Sequence, residues 1–193
     1  MKLYVMTLFL LPKCLSMVLQ FIESTEIGTG GGVAIYVSNK LTVKRRYDFE
    51  SSTLENIWLE MCHPHKSPCL VGSFYRPPST TYDFNNEFER NIDKVSTHDM
   101  ECIVLGDFNY DFSASETDSH GRELQFSTSS SGFTQLIDTP TRVTDHSRTV
   151  TDLIFVNKPQ FYQDYGLFHT SISDHFLTYA VRSFKTNLNC TNQ

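Results

Sequence analysis

Several short runs in this chain of 193 residues place reactive side chains where a strand would end. The first is Val104-Leu105-Gly106-Asp107-Phe108-Asn109, which follows the apolar run ECIVL at 101–105. A glycine is followed by a carboxylate and, two residues on, a carboxamide, and in an extended chain both point the same way. A carboxylate can hold a divalent cation or take a proton from water, and an asparagine can orient that water or a phosphate oxygen. A plain Asx turn after a strand would read the same way, and this run alone does not separate the two.

Three further runs add to it. Ser173-Asp174-His175 precedes an apolar stretch, and its adjacent Asp and His face opposite sides if extended. By itself such a pair is an ordinary surface turn. Asp152 changes that reading, because it lies inside Val150-Thr151-Asp152-Leu153-Ile154-Phe155-Val156, where a buried carboxylate is costly without a partner. A histidine is the natural partner, since the carboxylate would orient its ring and hold it protonated, and His175 is the best candidate. Last, Ser73-Phe74-Tyr75-Arg76-Pro77-Pro78 sets a tyrosine and a guanidinium at a strand exit, where both could reach phosphate. The alternative there is a core tyrosine beside a solvated arginine.

The elements that must position these groups are legible as short β-rich runs and one strong helix. Strands are expected at Val33–Val37, Ile57–Cys62, Cys69–Tyr75, Glu101–Leu105, Val150–Val156 and Phe176–Val181. Phe84, Phe88, Ile92 and Val95 form one apolar helical stripe, with Thr81 or Asp83 as its cap. A weaker helix is expected from Gly121 to about Ser130, stopping at Gly132. Sheets covered by helices with one apolar face imply a layered α/β or α+β sandwich. Gly30-Gly31-Gly32 leads into a strand rather than a helix, so a hairpin turn is expected there in preference to a phosphate cradle.

Composition sets the outer bounds. An apolar share of 39%, an aromatic share of 13%, nine glycines and seven prolines describe an ordinary globular chain. A net charge of −6 argues against nucleic-acid binding through a broad basic surface, but not against an enzyme that grips phosphate through a metal ion. Five cysteines without regular spacing argue for a reducing, intracellular compartment, nuclear or cytoplasmic. Cys62-His63-Pro64-His65 with Cys69 is too tightly spaced for the usual zinc modules and reads as a hairpin loop. Residues 1–27 form an apolar leader, too short in its apolar run to span a bilayer and without a convincing cleavage site. It is expected to be foreign to the fold, with a secretory signal as the alternative.

In chain order, GGGVAIYV at 30–37, SFYRPP at 73–78, GDFN at 106–109, TPTRVTDHSRTVTDLIFVN at 139–157 and ISDHF at 172–176 resemble the endonuclease/exonuclease/phosphatase superfamily. They are most similar to the endonuclease domains of non-LTR retrotransposons and related reverse-transcriptase proteins. The resemblance spans about residues 28–183, leaving residues 184–193 as a polar tail. It implies a four-layer α/β sandwich of two mixed sheets flanked by helices, and hydrolysis of DNA phosphodiesters with Mg²⁺ or Mn²⁺. By position, it implies that Tyr75 contacts the scissile phosphate, Asp107 activates water, and Asn109 orients that water or holds phosphate. Asp152 would pair with His175, which steadies charge on phosphorus, and Asp174 with Asp107 would hold the metal. Arg76, Arg142 and Arg148 are the cations expected to meet DNA. Family members also carry an Asn and a metal-binding Glu at the ends of two earlier strands. Neither is legible before Gly28, so the chain is expected to lack its first strands and to be a weakened catalyst. An inactive remnant of the same fold, or a phosphatase acting on lipid or small phosphoesters, are the alternatives. The resemblance predicts that the named residues converge on one rim, with His175 hydrogen-bonded to Asp152.

Overall fold

The computed structural model describes residues 8–10, 19–23, 32–62, 67–80, 83–113, 119–169, 171 and 173–183, the first two stretches as backbone only. In chain order the strands are β1 (Leu8–Leu10), β2 (Leu19–Glu23), β3 (Ala34–Ser38), β4 (Thr42–Arg45), β5 (Glu55–Cys62) and β6 (Cys69–Tyr75). Helix α1 (Phe84–Ser96), β7 (Glu101–Asp107), helix α2 (Ser119–Ser130), β8 (Thr134–Gln135), β9 (Arg142–Val143) and β10 (Arg148–Thr149) follow. The chain continues through β11 (Asp152–Val156), β12 (Tyr162–Phe168) and β13 (Leu177–Arg182).

A six-stranded mixed sheet, in the order β4-β5-β6-β7-β11-β8, carries the molecule. Only β6 and β7 run parallel in it, and α1 supplies the crossover between them that a parallel pair requires. Both central strands are buried along their whole length, which explains why ECIVLGD is continuous in apolar character up to its last residue. Alternation then sorts the side chains onto two faces. Trp58, Phe74 and Phe155 join Phe84, Phe88 and Ile92 of α1 and Leu124 of α2 in one core. Ile57, Leu59 and Tyr75 meet Val33 and Val37 on the other face. There β12 and β13 also reach the sheet, through Tyr162 and Arg182 bound to Glu101. The expected α/β fold, a mixed sheet with helices and further small sheets, is present.

The helices end where their sequences say they should. Asp83 caps α1 by accepting the Asn86 N–H at 3.2 Å. Full burial of Phe84, Phe88, Ile92 and Val95 stabilises the docked helix by roughly 1.5–3 kcal/mol per side chain. At the end of α2, Phe133 N–H donates to Thr128 O and Gly132 N–H to Ser129 O, with Gly132 at φ +81°. That is the left-handed glycine termination that spares the last carbonyls from going unpaired.

Some boundaries differ from the sequence reading. The strand expected from Val150 starts at Asp152, because the Val150 N–H is taken by the side chain of Asp111. Strands β4 and β12 were not expected from the sequence. Within the leader, Leu8–Leu10 pairs in parallel with β13, and Leu19–Glu23 pairs antiparallel with β3. The His63–His65 loop, Gly28 to Gly31, Thr81, Ile172 and the tail at 184–193 lie outside the described residues. Among the described residues no helix is long and apolar enough to cross a membrane.

Candidate active site

The register of the central sheet builds the site. Glu55, Tyr75, Asp107 and Asp152 are consecutive partners across β5, β6, β7 and β11, so these four polar side chains stand in one row on one face. One row deeper on that face come Ile57, Ser73, Leu105 and Ile154. Tyr75 and Asp107 are each the last residue of their strand, and Asp152 is the first of its own. The row is therefore the rim of the sheet.

Gly106 makes the rim possible. Its φ is +154°, and a Cβ there would stand 1.8 Å from the Phe74 carbonyl oxygen. Beyond it the chain folds back on itself. The Asn109 N–H donates to Asp107 Oδ1 at 3.0 Å, and Asn109 Nδ2 donates to Asp107 Oδ2 at 3.2 Å and to Arg76 O at 2.7 Å. Asn109 holds a left-handed φ of +48°, which asparagine tolerates better than most residues. With both amide hydrogens committed, its Oδ1 is the atom left to accept a hydrogen bond.

His175 Nδ1 lies 2.9 Å from Asp152 Oδ2, and both side chains are largely buried. Thr151 Oγ1 also donates to that oxygen at 3.2 Å. Thr141, fully buried, ties the pair together. Its Oγ1 accepts the N–H groups of Thr151 and Asp152, each at 3.0 Å, and its carbonyl accepts the Phe176 N–H at 2.7 Å. Neither Thr141 nor Asp111 was singled out from the sequence, although Thr141 lies in the TPTR run.

Electrostatics follow from this crowding. Burial, with the Asp152 charge beside it, pushes the Asp107 carboxyl up to about 7. For His175, burial favours the neutral ring, but the Asp152 hydrogen bond and charge, with Asp107 and Asp174 adding, outweigh it and raise its pKa. Asp107, Asp152 and His175 offer ligand atoms all within 4.8 Å of one another, the one such group found among the described residues. Two carboxylates converging on a point suit a hard divalent cation, and a carboxyl whose ionisation is opposed by burial and a like charge is the group such a cation would favour in its charged form.

The other expected residues sit around this group. Asp174 is not part of it: its Oδ2 accepts from Arg142 Nε at 2.8 Å, which holds its carboxyl below the usual range. Arg142 pairs across a β-bridge with His175, so its strand stands against the dyad. Arg148 is exposed on the β9–β10 hairpin. Arg76 is partly buried, with its guanidinium 3.9 Å from the Tyr110 ring centroid.

A family model described as endonuclease-reverse transcriptase matches residues 69–179, more than half of the chain, and contains every residue of the rim except Glu55. No curated protein matches the sequence. Among solved structures, the endonuclease domain of TRAS1, a telomere-specific non-LTR retrotransposon, aligns at 18% identity. It covers 82% of this chain and 77% of that one, with a TM-score of 0.68. The 3′ phosphatase NExo from Neisseria, solved with a product DNA hairpin, aligns at 13% identity over 86% of this chain and 80% of its own, TM-score 0.59. A mannosyl-6-phosphatase from Bacteroides thetaiotaomicron aligns at 16% identity over 82% and 74%, TM-score 0.54. At these identities the three share its fold, and the matched segment supplies the kinship: the chain belongs to the endonuclease-reverse transcriptase family within the endonuclease/exonuclease/phosphatase superfamily.

Proposed function

We propose that this chain is a divalent-metal-dependent phosphodiesterase that nicks DNA, with Mg²⁺ or Mn²⁺ as the metal. The observation that carries the reading is the convergence of Asp107 and Asp152, paired across β7 and β11, with His175 from the segment before β13, inside the segment that the family model matches. Asp107 and Asp152 fit the ion, while Asp174 is bonded through Oδ2 to Arg142. When bound, such an ion neutralises charge on the phosphoryl oxygens.

The residues then divide the work. Asp107, at the end of β7, takes the proton from the attacking water. Asn109 orients that water through Oδ1. His175, its Nδ1 against Asp152, donates from Nε2 to an oxygen of the phosphate as charge develops there. Tyr75, the neighbour of Asp107 in the row, contacts the scissile phosphate. Asp107 cannot serve fully as both ligand and base, because a coordinated carboxylate is a weaker base, and turnover is accordingly slow. With a net charge of −6, DNA is met by a few cations, Arg142 and Arg148 among them, so the salt dependence of binding is shallow.

The test is nicking of supercoiled plasmid with Mg²⁺, Mn²⁺ or EDTA, run beside a phosphoinositide and a sugar phosphate. Metal-dependent nicking that falls about 10²–10⁴-fold in Asp107→Ala and His175→Ala supports the reading. Release of phosphate from the monoesters with intact plasmid would move the chain to the phosphatases. No turnover of any substrate would mark a binding remnant.

A further inference from the structure

We infer that Arg76 is a positioning residue for Asn109 rather than a contact for DNA phosphate. Its position at a strand exit, after Tyr75, invites the phosphate reading, but its main chain and Nη1 bond to the loop that carries Asn109, and its Nε is buried without a partner among the described residues. The Arg76 N–H donates to Asp107 O at 2.9 Å, and Arg76 O accepts Asn109 Nδ2 at 2.7 Å. From the side chain, Nη1 points at the carbonyl of Asn109 at 3.3 Å and, at the long limit of a hydrogen bond, at that of Phe108 at 3.5 Å. The guanidinium lies over the Tyr110 ring at 3.9 Å, with Phe84 at 6.0 Å behind it. Tyr110 and Phe84 are themselves buried, so the surface on which the cation stacks is fixed by the core.

The consequence lies in the backbone. Asn109 sits at φ +48°, a conformation that costs energy for any residue with a Cβ and persists only where surroundings hold it. Arg76 grips residues 107–110 from both sides, by main chain and by side chain, and no other described residue outside the loop bonds to the Asn109 carboxamide. Fixing this turn decides whether the Asn109 Oδ1 points at the site. A planar, permanently charged fork that stacks and bonds carbonyls at once suits the task, and a lysine cannot imitate it.

The inference deepens the proposed nuclease reading, and its test can fail separately from it. Arg76→Met, Arg76→Lys and Tyr110→Leu are compared with Arg148→Ala. If Arg76 positions Asn109, Arg76→Met lowers kcat by about a hundredfold with KM and the salt slope unchanged. Arg76→Lys falls nearly as far although it keeps the charge, and Tyr110→Leu moves kcat the same way by less. Arg148→Ala shows what loss of a phosphate contact looks like, a salt slope reduced by about one. Such a reduction in Arg76→Met with kcat intact, restored by Arg76→Lys, would overturn the inference. Amide hydrogen exchange at Asn109 needs no substrate at all. It speeds by at least about tenfold in Arg76→Met and Arg76→Lys while α1 amides stay protected. Unchanged exchange at Asn109 would refute the positioning role, whether or not the protein cuts DNA.

Discussion

At the scale of single residues, the rim is a place where burial and like charge work against ionisation. Asp107 is 3% exposed and stands beside Asp152 in the row, and its carboxyl is pushed up to about 7 from an ordinary 3.8. The effect on stability has a definite sign. Below about pH 4 the carboxyl is protonated in both folded and unfolded chains, so its burial costs nothing extra. As pH rises from there to about 7, the unfolded chain releases its proton while the folded one keeps it, and stability is lost across that window. Above about 7 the loss is complete, on the order of a few kcal/mol. Asp107→Asn, which keeps the shape and removes the charge, should therefore raise the melting temperature in EDTA at pH 8 and leave it nearly unchanged at pH 4. Thermal melts of the two proteins at both pH values check this, and an equal shift at both would show that the gain is steric rather than electrostatic. Added Mg²⁺ should narrow the difference at pH 8, since a bound cation stabilises the ionised wild type. The same substitution should abolish turnover, so stability and activity are opposed at this position.

At the scale of elements, a strand end must both finish a buried run and expose a carboxylate, and Gly106 is the hinge of that change. Gly106→Ala would drive a methyl into the Phe74 carbonyl, so β6 and β7 must part where Tyr75 and Asp107 stand side by side. The expected outcome is a large loss of melting temperature together with loss of nicking. Phe88→Ala, in the α1 core, should by contrast cost about 3–5 kcal/mol and leave catalysis per folded molecule intact. Denaturant titration with nicking assayed far below the midpoint distinguishes the two. The same contrast explains what the sequence could reveal. α1 was legible because one stripe of Phe84, Phe88, Ile92 and Val95 repeats at helical spacing, and β7 because a doubly covered strand is apolar throughout. The Asp152–His175 pairing was legible because a carboxylate inside an apolar strand demands a partner. β12 was not, since Tyr162-Gln163-Asp164-Tyr165-Gly166-Leu167-Phe168 carries a bulge and exposes much of its length, which blurs period-2 alternation. Neither Thr141 nor the grip of Arg76 on Asn109 could be seen, because both depend on backbone groups brought together by the fold and not on any pattern of side chains.

At the scale of the whole molecule, the site draws on a second, three-stranded sheet in the order β1-β13-β12 as well as the central one, since His175 leads into β13 while Asp107 and Asp152 belong to the central sheet. What locks the two together lies at the opposite end of β7. Glu101 accepts two bonds from Arg182, Nε and Nη2 at 2.6 Å each, and a third from the Tyr162 hydroxyl at 3.0 Å. All three residues are buried, and Arg182 further stacks on Phe161 at 5.1 Å. Six residue-to-residue steps of strand separate Glu101 from Asp107, about 20 Å at the rise of a β-strand, so this clamp can act on the site only through the packing of the sheets. Buried ion pairs add little net stability over apolar groups of the same shape, yet removing one partner leaves the other as an uncompensated charge. Arg182→Met should therefore destabilise by about 3–5 kcal/mol, and Tyr162→Phe by about 1–3 kcal/mol, the cost of one lost bond to a charged acceptor. The triple variant Glu101→Leu, Tyr162→Phe, Arg182→Met removes the charges together and should recover most of that loss. Urea unfolding of the singles and the triple measures this. A triple variant that stays as unstable as Arg182→Met alone would show that the clamp contributes attraction in its own right. If the triple instead returns to near wild-type stability but nicks more slowly, then what the charged clamp supplies is a fixed register between the sheets, and with it the Asp152–His175 distance.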